Sequence, residues 1–346
     1  MTAGELMSES PIPEFRVFPG SAVRAVLDAD PAAVIAAVEG AYREHHEGRT
    51  TNPDSYFLRF PDRDRDRIIA LPAHYGPDGS AVTGIKWISS FPGNVDRGIA
   101  RASAVLILND ELTGYPIACM EAGSISATRT AASAMLGLRR LNGSDPTPKT
   151  VTVVGTGVIS DRVLDFLPHA GIQVRDIVLF DAKPEYAESF GERIRARTDL
   201  PVSVAPTMED ALRAGQVILF ATTAGTPHVH DPALFEHHPI VVHLSLRDLD
   251  PDIILASHNV VDDVDHCLKA QTSLHLAELQ SGNRDFVRYT LPGILCGQDI
   301  PDRDRPIIFS PFGMGILDLA LGNLVYSALV GQTRPVPDFY QGAVRF

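Results

Sequence analysis

Cysteine is scarce in this chain, and long apolar runs are absent. The three cysteines, Cys119, Cys267 and Cys296, are scattered and show no Cys-x-x-Cys spacing. That pattern excludes a disulfide framework and a zinc cluster, so we expect no metal site and a reducing compartment. The chain also lacks an apolar run of transmembrane length and an N-terminal basic segment followed by an apolar one. These absences predict a cytoplasmic protein that does not contact a membrane.

Basic charge is in deficit as well. The 30 Lys and Arg residues are outnumbered by 43 Asp and Glu residues, which gives a formal net charge of −13. A nucleic-acid backbone would be repelled unless basic residues formed a separate face, and no basic run of that kind exists. We therefore exclude nucleic acid as a partner. With 346 residues, of which 45% are hydrophobic and 21% charged, the chain fits a globular protein of two domains.

The first part of the chain predicts an α+β domain. Apolar residues at helical spacing follow an Asp30-Pro31 start, which predicts a helix over 31–46. Short β-type runs follow, separated by turn signals that include Pro77-Asp78-Gly79, and they predict antiparallel strands over 56–60, 67–72, 81–88, 103–108 and 115–120. A helix over 123–141, capped by Ser124 or Ser126, ends this region.

The second part alternates between strand and helix patterns. We predict strands over 151–154, 177–180, 202–204, 217–221, 240–244 and 259–261. Repeated βα units of this kind indicate a doubly wound parallel sheet, the Rossmann type of α/β fold. The chain is predicted to become helical after Asp263, and a last helix within 311–330 is long enough to pack back on the first domain. The predicted boundaries are 1–128, 129–310 and 311–346.

A glycine turn after the first Rossmann strand predicts a dinucleotide site. The free backbone N–H groups and the dipole of the helix that follows favour a phosphate there. Gly155 permits the tight turn, Gly157 lets the backbone approach a pyrophosphate, and Ser160 replaces the third glycine of the usual motif. A structural strand-turn-helix would carry the same glycine pair. The predicted cofactor contacts in this turn are Gly155, Thr156, Gly157, Val158 and Ile159.

Two further segments favour NAD as that cofactor. Asp181 ends the next strand, where its carboxylate can accept hydrogen bonds from the ribose hydroxyls and repel a 2′-phosphate. Lys183 stands close behind and would partly offset the exclusion of NADP. Thr222 and Thr223 follow a later strand at the carboxyl edge of the sheet, where they either contact the cofactor or simply form a loop.

Several motifs in order resemble one known family over nearly the whole chain. They are Arg67-Ile-Ile-Ala-Leu-Pro, Gly84-Ile-Lys86-Trp87, Met120-Glu-Ala-Gly-Ser-Ile-Ser-Ala-Thr-Arg129 and the turn at Gly155. Together they resemble the ornithine cyclodeaminase/μ-crystallin family. The resemblance implies an N-terminal substrate-binding domain that forms a homodimer, a Rossmann domain for NAD, and a last helix that returns to the first domain.

Later motifs resemble one branch of that family. They are Ser245-Leu-Arg-Asp248-Leu, Val261-Asp-Asp-Val-Asp-His266-Cys-Leu and Ser310-Pro-Phe-Gly-Met314-Gly. The branch oxidises and hydrolyses N-(1-amino-1-carboxy-2-ethyl)glutamate, which supplies 2,3-diaminopropionate for siderophores and peptide antibiotics. The resemblance implies hydride transfer from the glutamyl α-carbon to NAD⁺ and hydrolysis of the resulting imine. Ser245 and Met314 are the further cofactor contacts that it suggests.

A substrate with several carboxylates needs fixed cations in so acidic a protein. Arg67 and Arg129 suit this role because a guanidinium binds a carboxylate in bidentate fashion, and Lys86 could also orient water or polarise an imine. Each cation has a structural alternative: Arg67 could pair with nearby acids, Lys86 could extend its ammonium to solvent, and Arg129 could brace its helix.

Proton transfer to and from the imine calls for an acid/base after the fifth Rossmann strand. Asp248 is the predicted residue and Asp250 competes with it, while a helix N-cap is the structural alternative for either. His266 is a further candidate. Rival functions are ornithine cyclodeaminase, alanine or ketimine dehydrogenase, and a non-catalytic dinucleotide-dependent binding protein of the μ-crystallin type.

Overall fold

A computed structural model describes residues 12–76 and 80–341, so the predicted turn at 77–79 lies outside the described residues. The strands are β1 (Arg16–Phe18), β2 (Thr50–Thr51), β3 (Tyr56–Phe60), β4 (Arg63–Tyr75), β5 (Val82–Ser90), β6 (Ala102–Asn109), β7 (Pro116–Glu121), β8 (Lys149–Val154), β9 (Val174–Phe180), β10 (Val202–Val204), β11 (Val217–Phe220), β12 (Ile240–His243), β13 (His258–Val261), β14 (Val287–Thr290) and β15 (Ile307–Ser310). The helices are α1 (Gly20–Ala29), α2 (Pro31–His46), α3 (Gly123–Asn142), α4 (Val158–Phe166), α5 (Pro184–Arg195), α6 (Met208–Ala214), α7 (Pro251–Leu255), α8 (Val264–Cys267), α9 (Ser273–Ser281), α10 (Leu291–Leu295) and α11 (Gly315–Leu329).

The chain divides into two compact units. Of the described residues, the first contains 12–29, 49–76, 80–125 and 318–341, and the second contains 30–48 and 126–317. Helix α2 thus groups with the second unit, whereas the sequence placed it within domain 1–128. The physical reason is packing within that unit, because Tyr42 donates to the Ser133 hydroxyl (3.0 Å) and His45 lies 3.1 Å from Asp263.

The first unit is built on one sheet, ordered β1-β7-β6-β5-β4-β2, with β3 also pairing to β4. Its strands are antiparallel except for the parallel pair β1 and β7. Side chains alternate across the pleat, so Gly84 and Lys86 face α11 while Trp87 points to the opposite face. Gly84 permits close packing, because a side chain there would meet the Ile107 carbonyl and the Leu319 side chain.

The second unit contains a parallel sheet in the order β10-β9-β8-β11-β12-β15-β13-β14. Strands β8, β11, β12 and β15 are buried along their whole length, as expected when helices cover both faces. The strand order reverses beside β8, whose neighbours are β9 and β11. Ligands of such sheets bind in the crevice at that reversal, outside the carboxyl ends of the strands. The predicted α/β fold class is confirmed.

Strands β14 and β15 were missed by the sequence analysis, which predicted only helix after Asp263. Strand β15 lies between β12 and β13 and pairs with both. Its apolar run resembles a buried helix segment in pattern, and only the pairing partners settle its conformation.

The cap of α3 also differs from the prediction. The Glu121 carboxylate accepts from the backbone N–H groups of Gly123 (2.5 Å) and Ser124 (3.2 Å), where Ser124 or Ser126 was expected to cap. Among the described residues, no helix combines the length and apolar character needed to cross a membrane.

Candidate active site

The glycine turn after β8 has the geometry that the sequence predicted. Gly155 adopts φ +88°, and a Cβ there would lie 2.8 Å from the Ala221 carbonyl oxygen, so only glycine fits between the ends of β8 and β11. The Ser160 hydroxyl donates to the Gly155 carbonyl (2.5 Å). The serine that replaces the usual third glycine therefore fixes the turn.

The helix after this turn leaves room for an anion. Gly157 is the N-cap of α4 and supplies no side-chain cap, and a Cβ at Gly157 would have no atom within 4 Å. Val158 is 73% exposed, so the N–H groups at this helix start are open on one side, as a pyrophosphate requires. Thr156 donates through its N–H and its hydroxyl to Asp181 (both 2.8 Å), which ties the turn to the end of β9.

The predicted cofactor contacts therefore occupy one edge of the sheet. The turn fits the diphosphate of a dinucleotide. Asp181 fits the ribose, because a carboxylate has sites for about four hydrogen bonds and the three from Thr156 and Lys183 leave about one. Its second oxygen receives the Lys183 N–H (3.0 Å).

Asp248 lies at the same edge and is fully buried. One of its carboxylate oxygens accepts from the hydroxyl of Thr222 and lies 3.0 Å from Nε2 of His228. The other accepts from the hydroxyl of Ser245 and lies 3.0 Å from Nε2 of His243. The structure thus brings together Asp248 and two of the predicted cofactor contacts, Thr222 and Ser245, while Thr223 is exposed.

These contacts keep Asp248 ionised. Burial alone would raise its pKa, but the hydrogen bonds from His228, His243 and Ser245 outweigh burial and lower the pKa far below its usual range. A carboxylate in this state holds its partners in place and does not exchange protons near neutral pH. The acid/base role of Asp248 stays a prediction, and these surroundings favour a fixed anion instead.

The lowered pKa of Asp248 predicts acid sensitivity. Its folded-state pKa lies below the unfolded value of about 3.9, so its stabilisation is present above that pH and is lost as the pH falls further. We expect the free energy of unfolding to fall between about pH 5 and pH 2, and to fall less steeply in Asp248→Asn. Denaturant titrations across that range measure both slopes. An unchanged slope in Asp248→Asn would contradict the assignment.

Asp250 has a different position. It is the N-cap of α7, where it accepts from the Asp252 N–H (3.1 Å), and it lies 3.0 Å from Nδ1 of His230. The structural alternative for Asp250, a helix cap, is thus what the structure contains. Hydrogen bonding from His230 lowers the pKa of Asp250.

Two histidine–aspartate pairs therefore stand side by side. His228-Val229-His230 faces Asp248-Leu249-Asp250 across a parallel bridge between Val229 and Leu249. Neither His228 nor His243 was predicted from the sequence. The alternating His-x-His and Asp-x-Asp patterns were visible, but the pairing is a tertiary contact over 20 positions.

In the first unit, Lys86 is buried in an ion pair. Its Nζ lies 2.5 Å from Oδ2 of Asp318, and the two side chains are 2% and 0% exposed. Lys86 pairs in register with Leu71 of β4 and Leu106 of β6. The structural alternative, in which Lys86 extends to solvent, does not hold, because the side chain points inward. Asp318 was missed, although it is the only charged residue in α11.

Arg67 lies on the same face of that sheet. It pairs with Ser90 on β5, four residues along from Lys86, and side chains four apart on a strand share a face. Arg67 is partly buried. Two of the three predicted cations are thus on adjoining strands of the first unit.

Arg129 lies in the second unit, against the loop that follows β15. A side chain at Gly313 would overlap the Arg129 guanidinium, so the guanidinium packs directly on the Gly313 backbone. Buried Asp262 accepts from the N–H groups of Phe312 (2.9 Å) and Gly313 (2.6 Å), which fixes this loop. Met314, a predicted nicotinamide contact, is 1% exposed.

His266 pairs with Asp263 in the second unit. Its Nδ1 lies 2.8 Å from Asp263, which also lies 3.1 Å from Nε2 of His45. Burial opposes ionisation of Asp263, but the hydrogen bonds from His266 and His45 lower its pKa far below the usual range. Within residues 12–76 and 80–341, no three His, Cys, Asp or Glu side chains are grouped to hold a metal ion.

The chain matches a known family over most of its length. The model of the Ornithine cyclodeaminase/mu-crystallin family matches residues 21–333. The chain is similar to the N-((2S)-2-amino-2-carboxyethyl)-L-glutamate dehydrogenase of Staphylococcus aureus (strain NCTC 8325 / PS 47), with 30% identity over 267 residues, which are 75% of this chain and 78% of that protein. It is 27% identical over 302 residues to the alanine dehydrogenase of Archaeoglobus fulgidus, covering 84% and 88% of the two chains.

A solved structure has the same fold. The Delta(1)-pyrroline-2-carboxylate reductase of Thermococcus litoralis, in complex with NADH and L-proline, matches with a TM-score of 0.84 at 22% identity. The match covers 93% of this chain and 100% of that one.

Proposed function

Because the chain belongs to the ornithine cyclodeaminase/mu-crystallin family, we propose that it hydrolyses N-(1-amino-1-carboxy-2-ethyl)-L-glutamate oxidatively, with NAD⁺ as the oxidant. The products are L-2,3-diaminopropionate, 2-oxoglutarate and NADH. The chain is an NAD-dependent oxidoreductase that acts on a CH–NH bond. The similarity to the Staphylococcus aureus dehydrogenase carries the choice of substrate.

Arg67, Lys86 and Arg129 are proposed to bind the substrate carboxylates. Lys86 is buried and held by Asp318, so its ammonium is fixed in direction before the substrate arrives. Arg129 is braced by the Gly313 backbone. Cations fixed in this way bind carboxylates without losing side-chain freedom on binding, which favours affinity.

The cofactor is proposed to lie along the carboxyl edge of the second sheet. The N–H groups at the start of α4 would hold its diphosphate, and Asp181 would hold the adenine ribose. The loops that contain Thr222 and Ser245, tied together by Asp248, and the segment at Met314 would border the nicotinamide end. When bound, NAD⁺ supplies the acceptor for the hydride from the substrate α-carbon.

The direct test uses the purified protein with NAD⁺ and synthetic N-(1-amino-1-carboxy-2-ethyl)-L-glutamate. NADH is followed by absorbance and the products by mass spectrometry. We expect one NADH, one 2-oxoglutarate and one diaminopropionate for each substrate consumed. Absence of NADH with this substrate would contradict the proposal, and ornithine and alanine run in parallel as alternatives.

The second candidate is alanine dehydrogenase, favoured by the similarity to the Archaeoglobus fulgidus enzyme. It predicts pyruvate and NADH from alanine. Ornithine cyclodeaminase would instead yield proline and ammonia without net NADH. A binding protein without turnover would bind NADH and oxidise none of these amino acids.

We also propose a reducing, cytoplasmic location and a biosynthetic role in making diaminopropionate for siderophores or antibiotics. The location is supported by the cysteines, all of which are free thiols.

A homodimer is proposed to form through the outer face of the first unit's sheet. On that face Trp87 of β5 pairs with Val105 of β6, and their exposed fractions are 42% and 38%. Tyr56 and Leu58 of β3 extend the same face, with exposed fractions of 79% and 46%. An apolar face of this kind is typical of an interface.

We expect Trp87→Glu to convert the dimer to a monomer in light scattering, because a charge would be buried in the interface. Leu112→Glu is the matched control, since Leu112 is 94% exposed in the β6–β7 turn. A monomeric wild type, or a Trp87→Glu variant that stays dimeric, would exclude this interface.

A further inference from the structure

We propose that His228 is the residue that moves protons while the oxidised substrate is hydrolysed, and that Asp248 is the fixed anion that orients it. The inference rests on the proposed oxidative hydrolysis, because that reaction needs a group to exchange protons with water and with the leaving amine. It gives to His228 the role that the sequence analysis gave to Asp248.

The two imidazoles on Asp248 differ in exposure. The His243 side chain is 0% exposed, and its Nδ1 lies 3.4 Å from the Ser310 hydroxyl. The His228 side chain is 37% exposed and presents the same nitrogen, Nε2, to the buried carboxylate. Of the two imidazoles on Asp248, only that of His228 is accessible to a ligand while it is held by a fixed partner.

Backbone hydrogen bonds hold the His228 and Asp248 segments together. The backbone N–H groups of His228 and Val229 both donate to the carbonyl of Asp248, at 2.9 and 3.0 Å. The N–H of Asp250 donates back to Val229 at 2.9 Å. Because Val229 and Leu249 are buried in the core, this bridge cannot shift without disturbing the packing below it. The imidazole is therefore preorganised, as an acid/base group requires.

His228 belongs to a segment near the proposed cofactor site. The segment that contains His228 follows β11, whose end touches the Gly155 turn, at the reversal of strand order. The titratable groups around the imidazole are Asp248, with His243 behind it, and the neighbouring pair His230 and Asp250. A carboxylate that accepts from one imidazole nitrogen leaves the other nitrogen able to take and return a proton.

In the proposed hydrolysis, His228 takes one proton from water and returns it to the substrate nitrogen. After oxidation of the α-carbon, water adds to the C=N carbon and its proton passes to His228. His228 returns that proton to the nitrogen of the resulting amino alcohol. The C–N bond then breaks as the C=O bond forms, and the hydroxyl proton ends on the departing amine, so His228 regains its starting state. Asp248 stays a carboxylate throughout.

The test compares His228→Gln with His230→Gln. His230 is the matched control, because it makes the same kind of pair with Asp250 on the same two segments but is 66% exposed. We expect His228→Gln to lower kcat about 100-fold or more with little change in KM or NAD affinity. His230→Gln is expected to stay near wild type. The pH dependence of kcat should flatten in His228→Gln, and imidazole should restore activity to His228→Ala.

A structural role alone would not give imidazole rescue or an altered pH profile. The proposal is overturned if His228→Gln keeps kcat within threefold of wild type, or if His230→Gln loses as much. Should the wild type oxidise a different amino acid, the proposed substrate fails and the same comparison is made with that amino acid.

A second measurement does not depend on turnover. Nitrogen-15 NMR of the NAD-loaded protein reports which ring nitrogen carries the proton, and the two variants assign the signals. We expect the neutral ring of His228 to carry its proton on Nε2, toward Asp248, and that of His230 to carry it on Nδ1. A proton on Nδ1 of His228 would overturn the proposal even if no amino acid is oxidised, because that nitrogen could not then accept a proton.

Discussion

Replacing Lys86 with methionine is expected to lower the free energy of unfolding by about 3 to 5 kcal/mol and to abolish activity. The change removes the ammonium that stands 2.5 Å from the fully buried Asp318 carboxylate. The remaining carboxylate is shielded from water and has lost the ammonium that faces it, so its burial costs free energy. Asp318→Leu is expected to cost as much, because it leaves the ammonium instead. Denaturant titration of the two single variants measures these losses.

The double variant Lys86→Met/Asp318→Leu separates two contributions to the loss of stability: the cost of a buried charge without this ion pair, and the cost of altered side-chain packing. We expect it to recover much of the stability, because apolar replacements of a buried ion pair are often neutral. It should remain inactive, since the proposed carboxylate contact is gone. Arg63→Met is the surface control: Arg63 lies 3.6 Å from Asp66 with half of its side chain exposed, and such pairs contribute about 0 to 1 kcal/mol. If the single variants of Lys86 and Asp318 lose no more free energy of unfolding than Arg63→Met, the buried ion pair does not stabilise the protein as proposed.

Gly155→Ala is expected to weaken NAD binding about 100-fold, which corresponds to about 2.7 kcal/mol. Gly155 has φ +88°, which an alanine adopts only with strain, and the added Cβ would lie 2.8 Å from the Ala221 carbonyl oxygen. Either the turn or the end of β11 must move, and both border the proposed diphosphate site. Calorimetric titration with NAD⁺ measures the affinity, and thermal unfolding without cofactor should show a lower midpoint.

Gly157→Ala is the matched control for the strain. Gly157 has φ −86° and no atom within 4 Å of an added Cβ, so the protein without cofactor should unfold at the wild-type temperature. Its NAD affinity should still fall, since the methyl group would stand where the diphosphate approaches the backbone. If Gly157→Ala binds NAD⁺ as tightly as wild type, the proposed path of the diphosphate is wrong. If Gly155→Ala does so, the turn has no part in binding.

Features that depend on neighbouring residues were predictable from the sequence. The helix over 31–46 and the strand over 56–60 match the structure residue for residue, because side-chain period and caps are local properties. The glycine turn and Asp181 were identified for the same reason: strand, turn and helix are consecutive. Arg67, Lys86 and Arg129 were singled out by motif, without any knowledge of their partners.

The surroundings of those residues depend on how distant segments of the chain pack together. Asp318 stands 232 positions from Lys86, and no local pattern links an acid in one helix to a lysine in a distant strand. The insertion of β15 between β12 and β13 likewise depends on which buried edge the strand meets. The surroundings of Asp248 favour a fixed anion over the expected acid/base, because its ionisation depends on donors from β12 and from the loops after β11 and β12, which outweigh its burial. Charge state and accessibility are properties of packing, and packing joins residues that the sequence keeps far apart.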